Sequence, residues 1–126
     1  MPLRNLPPEA LDKLPLSIYR LDLDLRIIYV SRSLASSVGY PPESVEGRLI
    51  SEIGLPADSA EKLIAEFRTV LSGGNPVRFD WQLPDPSGHL HWLRYEAIPE
   101  VDGSGRITGI LGYASEITAS AGIVKM

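Results

Sequence analysis

Hydrophobic and polar residues alternate at the start of the chain in the way that is typical of paired strands. Residues 16–23 place Tyr19, Leu21 and Leu23 on one face of a predicted strand. The β-branched run 26–30 follows after a two-residue connection and predicts a second strand. The two segments are therefore predicted to form a hairpin.

The period then changes to that of helices. Three short helical segments are predicted over residues 31–38, 41–45 and 49–53, and a glycine follows closely on each. Ser31 can cap the first of them, since a serine hydroxyl accepts a hydrogen bond from a backbone N–H of the first turn. This region is therefore predicted to be a run of short helices.

One long helix and three strands are predicted in the second half. Apolar residues with helical spacing begin at Ala60, and Asp58 and Glu61 have capping-box spacing, so a helix is predicted over residues 58–72. Alternating residues then predict three strands, over residues 77–83, 89–98 and 106–118, the second of them ended by Pro99. Three consecutive strands with short turns predict an antiparallel meander.

The N-terminal segment carries an apolar stripe of its own. A short helix is predicted over residues 8–14, and the stripe consists of Leu6, Ala10, Leu11 and Leu14. Seven residues are too few for a stable isolated helix. The stripe is therefore predicted to dock either on its own domain or on a second copy of the chain, and the two alternatives stay open.

Composition narrows the class of protein. The 126 residues fit one domain, and 44% hydrophobic residues are enough for a core. The net charge of −4 argues against nucleic-acid binding, which draws on a basic patch. The absence of cysteine excludes disulfides, thiolate metal sites and cysteine nucleophiles. No signal-peptide pattern or membrane span is found, so a soluble, cytoplasmic domain is expected.

Several motifs in this order resemble the PAS (Per-Arnt-Sim) family of sensor domains. They are Leu21-Asp22-Leu23-Asp24 with Arg26–Val30, Gly39-Tyr40 with Glu43 and Gly47-Arg48, Asp85-Pro86-Ser87-Gly88 with Trp92, and Gly105–Gly112 running into Ser115–Thr118. Three positions depart from the family pattern: Leu25 replaces the hairpin glycine, Ser31 an asparagine, and Glu116 an aspartate. The resemblance covers residues 16–118, most of the chain.

The resemblance implies an α+β fold with a five-stranded antiparallel sheet in the order 2-1-5-4-3. The short helices and the long helix would cover one face and enclose a pocket. It also implies a sensory or signal-relay domain of a bacterial signalling protein, such as a histidine kinase or a diguanylate cyclase, acting through ligand or partner binding and homodimerisation. The alternative is a stand-alone module that binds a specific metabolite. With residues 16–118 as the PAS domain, residues 1–15 are expected to be an N-terminal capping helix, and residues 119–126 a linker toward a possible effector.

The residue content also limits the cofactors that the resemblance allows. Relatives that sense light through a reactive or chromophore-linked cysteine are excluded as analogues, because the chain has none. Haem-binding relatives usually place a histidine on the long helix, and residues 58–72 contain none, so haem is not expected. A non-covalent flavin stays open. His89 and His91 share a strand face, but two histidines are too few for a metal site, and we interpret them as half-exposed strand residues.

No catalytic residues are predicted. Five carboxylates, Asp80, Asp85, Glu96, Glu100 and Asp102, occur near strands and turns. A catalytic acid pair would need two of them in an apolar cleft, and the positions of Asp85 and Asp102 are typical of turn residues. A non-enzymatic domain is therefore expected.

A ligand pocket would have to be built mainly from apolar and aromatic residues. The aromatic residues are divided between core and pocket, and core is the better interpretation for most of them. Tyr19, Arg94 and Ser115 are the available polar groups if their strand faces point inward. The predicted ligand-binding set is Tyr19, Leu34, Val38, Tyr40, Ile53, Leu63, Phe67, Trp81, Arg94, Tyr113 and Ser115.

Overall fold

Five antiparallel strands form a single sheet in this protein. The structure, a computed structural model, describes residues 17–117, except for the side chains of Ser37 and Val38. The strands are β1 Ile18–Asp22, β2 Ile27–Val30, β3 Val77–Pro84, β4 Leu90–Val101 and β5 Ile107–Glu116. Their order is β2-β1-β5-β4-β3, which confirms the predicted fold class. The predicted N-terminal helix with Leu6, Ala10, Leu11 and Leu14 and the 119–126 linker lie outside the described residues.

Between β2 and β3 the chain is helical, as predicted. The helical elements are α1 Arg32–Val38, α2 Pro42–Val45, a 3₁₀ turn Ile50–Glu52 and α3 Ala57–Gly73. The buried Ser31 hydroxyl caps α1, since it accepts hydrogen bonds from the N–H groups of Leu34 at 3.3 Å and Ile18 at 3.0 Å. One side chain therefore holds α1 against β1.

The predicted capping box of the long helix is wrong. The helix begins one residue earlier than predicted, and Pro56 occupies the cap position without a side-chain hydrogen bond. Asp58 lies inside the first turn, where its carboxylate accepts the N–H of Ser59 at 2.9 Å. An acidic residue there still complements the positive end of the helix dipole.

An aspartate organises each of the three tight hairpin turns in the same way. One oxygen of Asp85 accepts the N–H groups of Ser87 and His89, both at 2.9 Å. Asp22 and Asp102 do the same for the residues two and four positions later. The interpretation of Asp85 and Asp102 as turn residues is thus confirmed.

Two local predictions fail at strand ends. Leu23 is exposed in the β1–β2 turn and does not extend the face of Tyr19 and Leu21. Pro99 does not end β4, which continues to Val101. The pairing explains this: β3 begins opposite Ala97, so β4 has no β3 partner at Pro99 and the missing N–H costs no ladder bond.

The helices of residues 17–117 cover one face of the sheet, and the core lies between that face and the helices. Leu93, Tyr95 and Ala97 of β4 point to this face, as does Ile110 of β5. Leu25, which replaces the family's hairpin glycine, is buried in the same core at a φ of 64°. Its side chain therefore packs at the expense of a backbone conformation that favours glycine.

Candidate functional site

A cavity of about 100 Å³ lies between the helix-covered face of the sheet and the helices. Its wall is built by residues of strands β1 to β4 and by residues in or beside each of the four helical elements. The lining residues are Tyr19, Leu21, Ile27, Val30, Leu34, Ala35, Tyr40, Val45, Ile50, Ile53, Leu55, Leu63, Phe67, Leu83, Leu93 and Tyr95. None of these residues is charged, so the wall suits a neutral and mainly apolar molecule.

Six residues of the predicted ligand-binding set line this cavity. They are Tyr19, Leu34, Tyr40, Ile53, Leu63 and Phe67. Helical spacing places Leu63 and Phe67 on the same face of α3, where both are buried. Their position in the wall is a structural fact, whereas their contact with a ligand stays a prediction.

Three polar residues of that set do not face the cavity. Arg94, Tyr113 and Ser115 point to the opposite face of the sheet, because they alternate with the inward-facing residues of β4 and β5. Tyr113 is 47% exposed. Arg94 and Ser115 therefore do not have the inward strand face that a polar group of the pocket would need.

The other two predicted residues have different outcomes. Trp81 is on the inner side of β3 but outside the cavity wall, with the Lys62 ammonium 5.6 Å from its ring centroid. Its ring thus packs beside α3 and not against the cavity. The side chain of Val38 lies outside the described part of the structure.

A chain of aromatic rings supports the cavity. Phe67 contacts Tyr19 with ring centroids 5.7 Å apart and Phe79 at 6.1 Å, and Phe79 stacks on Tyr95 at 4.9 Å. These are distances at which aromatic pairs attract each other. The cavity wall is therefore fixed by contacts that run from β1 through α3 to β4.

Gly112 makes room for the ring of Tyr19. A Cβ at position 112 would lie 2.4 Å from that ring, so a larger residue could not occupy the position without moving Tyr19. The Tyr19 hydroxyl crosses this glycine and donates a hydrogen bond to the backbone oxygen of Glu96 at 3.2 Å. Burial raises the pKa of Tyr19, so its phenol stays neutral.

Tyr95 lines the cavity but is missing from the predicted set. The signal that could have identified it is the alternation of β4, which places it on the same face as Leu93 and Ala97. Tyr95 is 6% exposed, and among residues 17–117 no group hydrogen-bonds to its hydroxyl. Tyr95 is thus, with Tyr19 and Tyr40, one of three tyrosines in a wall whose other residues are apolar.

The outer face of the sheet carries paired polar groups. Arg94 makes two hydrogen bonds to Asp80, at 2.9 and 3.1 Å, and Arg20 makes two to Glu100, at 2.9 and 3.2 Å. The Tyr113 hydroxyl donates to the carboxylate of Glu96. Three of the five carboxylates considered above are therefore bonded on this face, outside any cleft.

The last two strands and the β3–β4 turn are joined through His91. Its ring nitrogens lie 3.0 Å from an Asp85 oxygen and 2.8 Å from a Glu116 oxygen. The hydrogen bond to Asp85, then the bond to Glu116, raises the pKa of His91, and the same bond to His91 lowers the pKa of Asp85. His89, by contrast, is exposed. Within residues 17–117 no group of three His, Asp or Glu side chains is arranged to hold a metal ion.

A five-stranded antiparallel sheet covered on one face by helices, with an apolar cavity between the two layers, is the architecture of a small α+β domain. A family model described as the PAS fold matches residues 11–122, and the chain therefore belongs to the PAS family, whose members are sensory domains. The search of curated proteins gave no match. Over the described residues, no helix combines the length and the apolar character that crossing a membrane requires.

Solved structures give the same fold. The Vibrio cholerae VqmA dimer is 25% identical with a TM-score of 0.76, and the match covers 93% of this chain and 54% of that chain. VqmA bound to DPO is 24% identical with a TM-score of 0.76, covering 92% and 58%. The PAS domain of Bordetella pertussis BvgS is 23% identical with a TM-score of 0.73, covering 94% and 88%. The chain thus spans a little over half the length of the VqmA chains.

Proposed function

We propose that this PAS domain senses a small, neutral molecule that binds in the cavity beneath the sheet. The observation that carries the proposal is the cavity itself, which is lined by uncharged and mainly apolar residues. Apolar walls with very few polar groups are typical of small-molecule sites. VqmA, which has the same fold, has been solved with a bound ligand.

The volume of the cavity limits the size of the ligand. Pockets for drug-sized ligands measure roughly 300–1,000 Å³, whereas this one measures about 100 Å³. A flavin or a haem would therefore require the helices to move outward. A ligand with one small ring fits the proposal best.

The test is ligand-induced stabilisation by benzene as a probe of the cavity. Benzene in excess should raise the Tm of the wild-type protein, because a ligand that binds only the folded state stabilises it by mass action. Ala35→Leu adds three carbon atoms to the cavity wall and should abolish the rise. Ser36→Leu is the matched control, since Ser36 is exposed on the same helix and does not line the cavity. A rise that persists in Ala35→Leu would contradict the proposal.

The output of the domain is proposed to pass to an effector, such as a histidine kinase or a cyclase, in the cytoplasm. The hydrogen bonds of His91 support a route out of the domain, since they join the β3–β4 turn to Glu116, the last residue of β5. The VqmA structures name target DNA. We do not extend that partner to this chain, since its net charge of −4 offers no excess of basic residues.

Homodimerisation is part of the same proposal. The stripe of Leu6, Ala10, Leu11 and Leu14 would form the interface, and Ile98 and Tyr113 leave further apolar surface on the outer face, 46% and 47% exposed. VqmA is described as a dimer. Size-exclusion chromatography with light scattering should give twice the chain mass, and deletion of residues 1–14 should lower the dimer fraction. A monomer at high micromolar concentration would refute this part.

A further inference from the structure

The polar atoms of the tyrosines in the cavity wall all lie away from the cavity surface. Within residues 17–117, no polar surface faces the space that these side chains enclose. The Tyr19 hydroxyl donates to the backbone oxygen of Glu96 at 3.2 Å, and the Tyr40 hydroxyl donates to that of Pro84 at 2.8 Å. The Tyr95 oxygen is buried and does not reach the cavity. The wall therefore presents only its apolar groups to a ligand.

Two polar side chains next to the wall are engaged elsewhere. Ser31 is fully buried, and its hydroxyl accepts the N–H groups of Ile18 at 3.0 Å and Leu34 at 3.3 Å. The Lys62 ammonium on α3 is bonded to Glu66 at 2.7 Å. Neither Ser31 nor Lys62 lines the cavity. These neighbouring groups therefore offer no hydrogen bond to a molecule inside it.

Water cannot take the place of the missing polar groups. A buried water molecule needs several polar partners, and apolar cavities of roughly 150 Å³ stay dry and accept benzene. The cavity of this domain, with a volume of about 100 Å³ and an apolar surface, should therefore be dry. A hydroxyl, amine or carbonyl group brought into it would lose its hydrogen bonds to water and gain none, which is strongly unfavourable.

We propose that the ligand of this domain is a small hydrocarbon, about the size of benzene, without any hydrogen-bonding group. This inference rests on the proposed function of the cavity and narrows its ligand class from neutral molecules to hydrocarbons. Transfer of the apolar surface of the ligand from water into the apolar cavity drives binding. The cavity rejects a polar molecule of the same shape, because only that molecule leaves hydrogen bonds to water behind.

Toluene and phenol are the probes for this test. They have nearly the same shape, both are uncharged at neutral pH, and a methyl group of toluene replaces the hydroxyl of phenol. Their dissociation constants are measured by NMR titration of the wild-type chain, followed through the methyl signals of Leu63 and Leu93 in the cavity wall. A hydroxyl without partners should weaken binding roughly a thousandfold or more, whereas a hydroxyl with a partner should weaken it by about thirtyfold at most. The dissociation constant of phenol should therefore exceed that of toluene by more than about a hundredfold.

Ala35→Leu and Ser36→Leu show where toluene binds. Ala35 lines the cavity, so its change to leucine should abolish toluene binding, whereas the same change at the exposed Ser36 should leave it intact. If toluene or phenol binds in the cavity and the ratio is below about a hundredfold, the inference is wrong while the proposed function stands. If neither probe binds the wild-type chain, or if toluene binds Ala35→Leu as well as the wild type, both the proposed function and the inference fail.

Discussion

Removal of a single hydroxyl should have opposite effects at Tyr19 and Tyr95. Both residues are 6% exposed, and a change to phenylalanine deletes one oxygen in each. At Tyr19 the deletion breaks the hydrogen bond to Glu96 O, which should cost about 1 kcal/mol. At Tyr95 it removes a buried hydroxyl that has no hydrogen-bond partner within residues 17–117, so the change should be neutral or stabilising by up to about 1 kcal/mol.

The two variants should therefore differ by about 1–2 kcal/mol, or roughly 4–10 °C in Tm for a domain of this size. Urea unfolding followed by tryptophan fluorescence measures the difference, and equal m-values would show that both variants unfold to the same extent. Tyr95→Phe should have the higher midpoint. A midpoint for Tyr95→Phe at or below that of Tyr19→Phe would refute the reasoning, since the hydroxyl would then be bonded in the free protein.

Three further predictions concern the backbone and the charged groups. Calorimetry should show that Leu25→Ala and Leu25→Gly each lose about 2–5 kcal/mol of stability through lost packing. The glycine variant should be the more stable of the two by about 1 kcal/mol, because φ is 64° at this position. An alanine variant more stable than the glycine variant would contradict the backbone strain at position 25. Gly112→Ala should destabilise the fold by about 1–3 kcal/mol and weaken benzene binding, because its Cβ would meet the ring of Tyr19; a variant with wild-type Tm and binding would exclude this contact. The hydrogen bond between His91 and Asp85 raises the pKa of His91 and lowers the pKa of Asp85. The stability that this bond contributes should therefore be lost as the pH rises above about 6.5, and lost again in acid. His91→Gln should flatten the decline of urea stability above that pH, and an unchanged decline would assign it to other groups.

The strands and helices could be predicted because their periods are visible in the sequence. The alternation around Tyr19 and the helical spacing around Leu63 each reflect burial on one side of an element. Pro99 was misjudged because its place in β4 depends on where β3 begins, and only the strand register shows that.

The site was predicted only in part, for a similar reason. Hydrophobicity suggested that Tyr113 would point inward and gave no role to Gly112. In the structure Tyr113 points to the outer face and Gly112 lies on the inner face. The ring of Tyr19 fills the space over Gly112, and only glycine leaves room for it. The absence of a hydrogen-bond partner for the Tyr95 hydroxyl within residues 17–117 is a property of the folded protein that the sequence does not show.

The central claim is that a small neutral molecule binds inside the cavity. Intermolecular nuclear Overhauser effects between bound benzene and protein methyl groups test it most directly, because they report distances of a few ångströms. The account predicts such contacts with the methyl groups of Leu63, Leu83 and Leu93, which line the cavity, and their loss in Ala35→Leu. Contacts confined to the exposed residues Leu90 and Ile98 would contradict it.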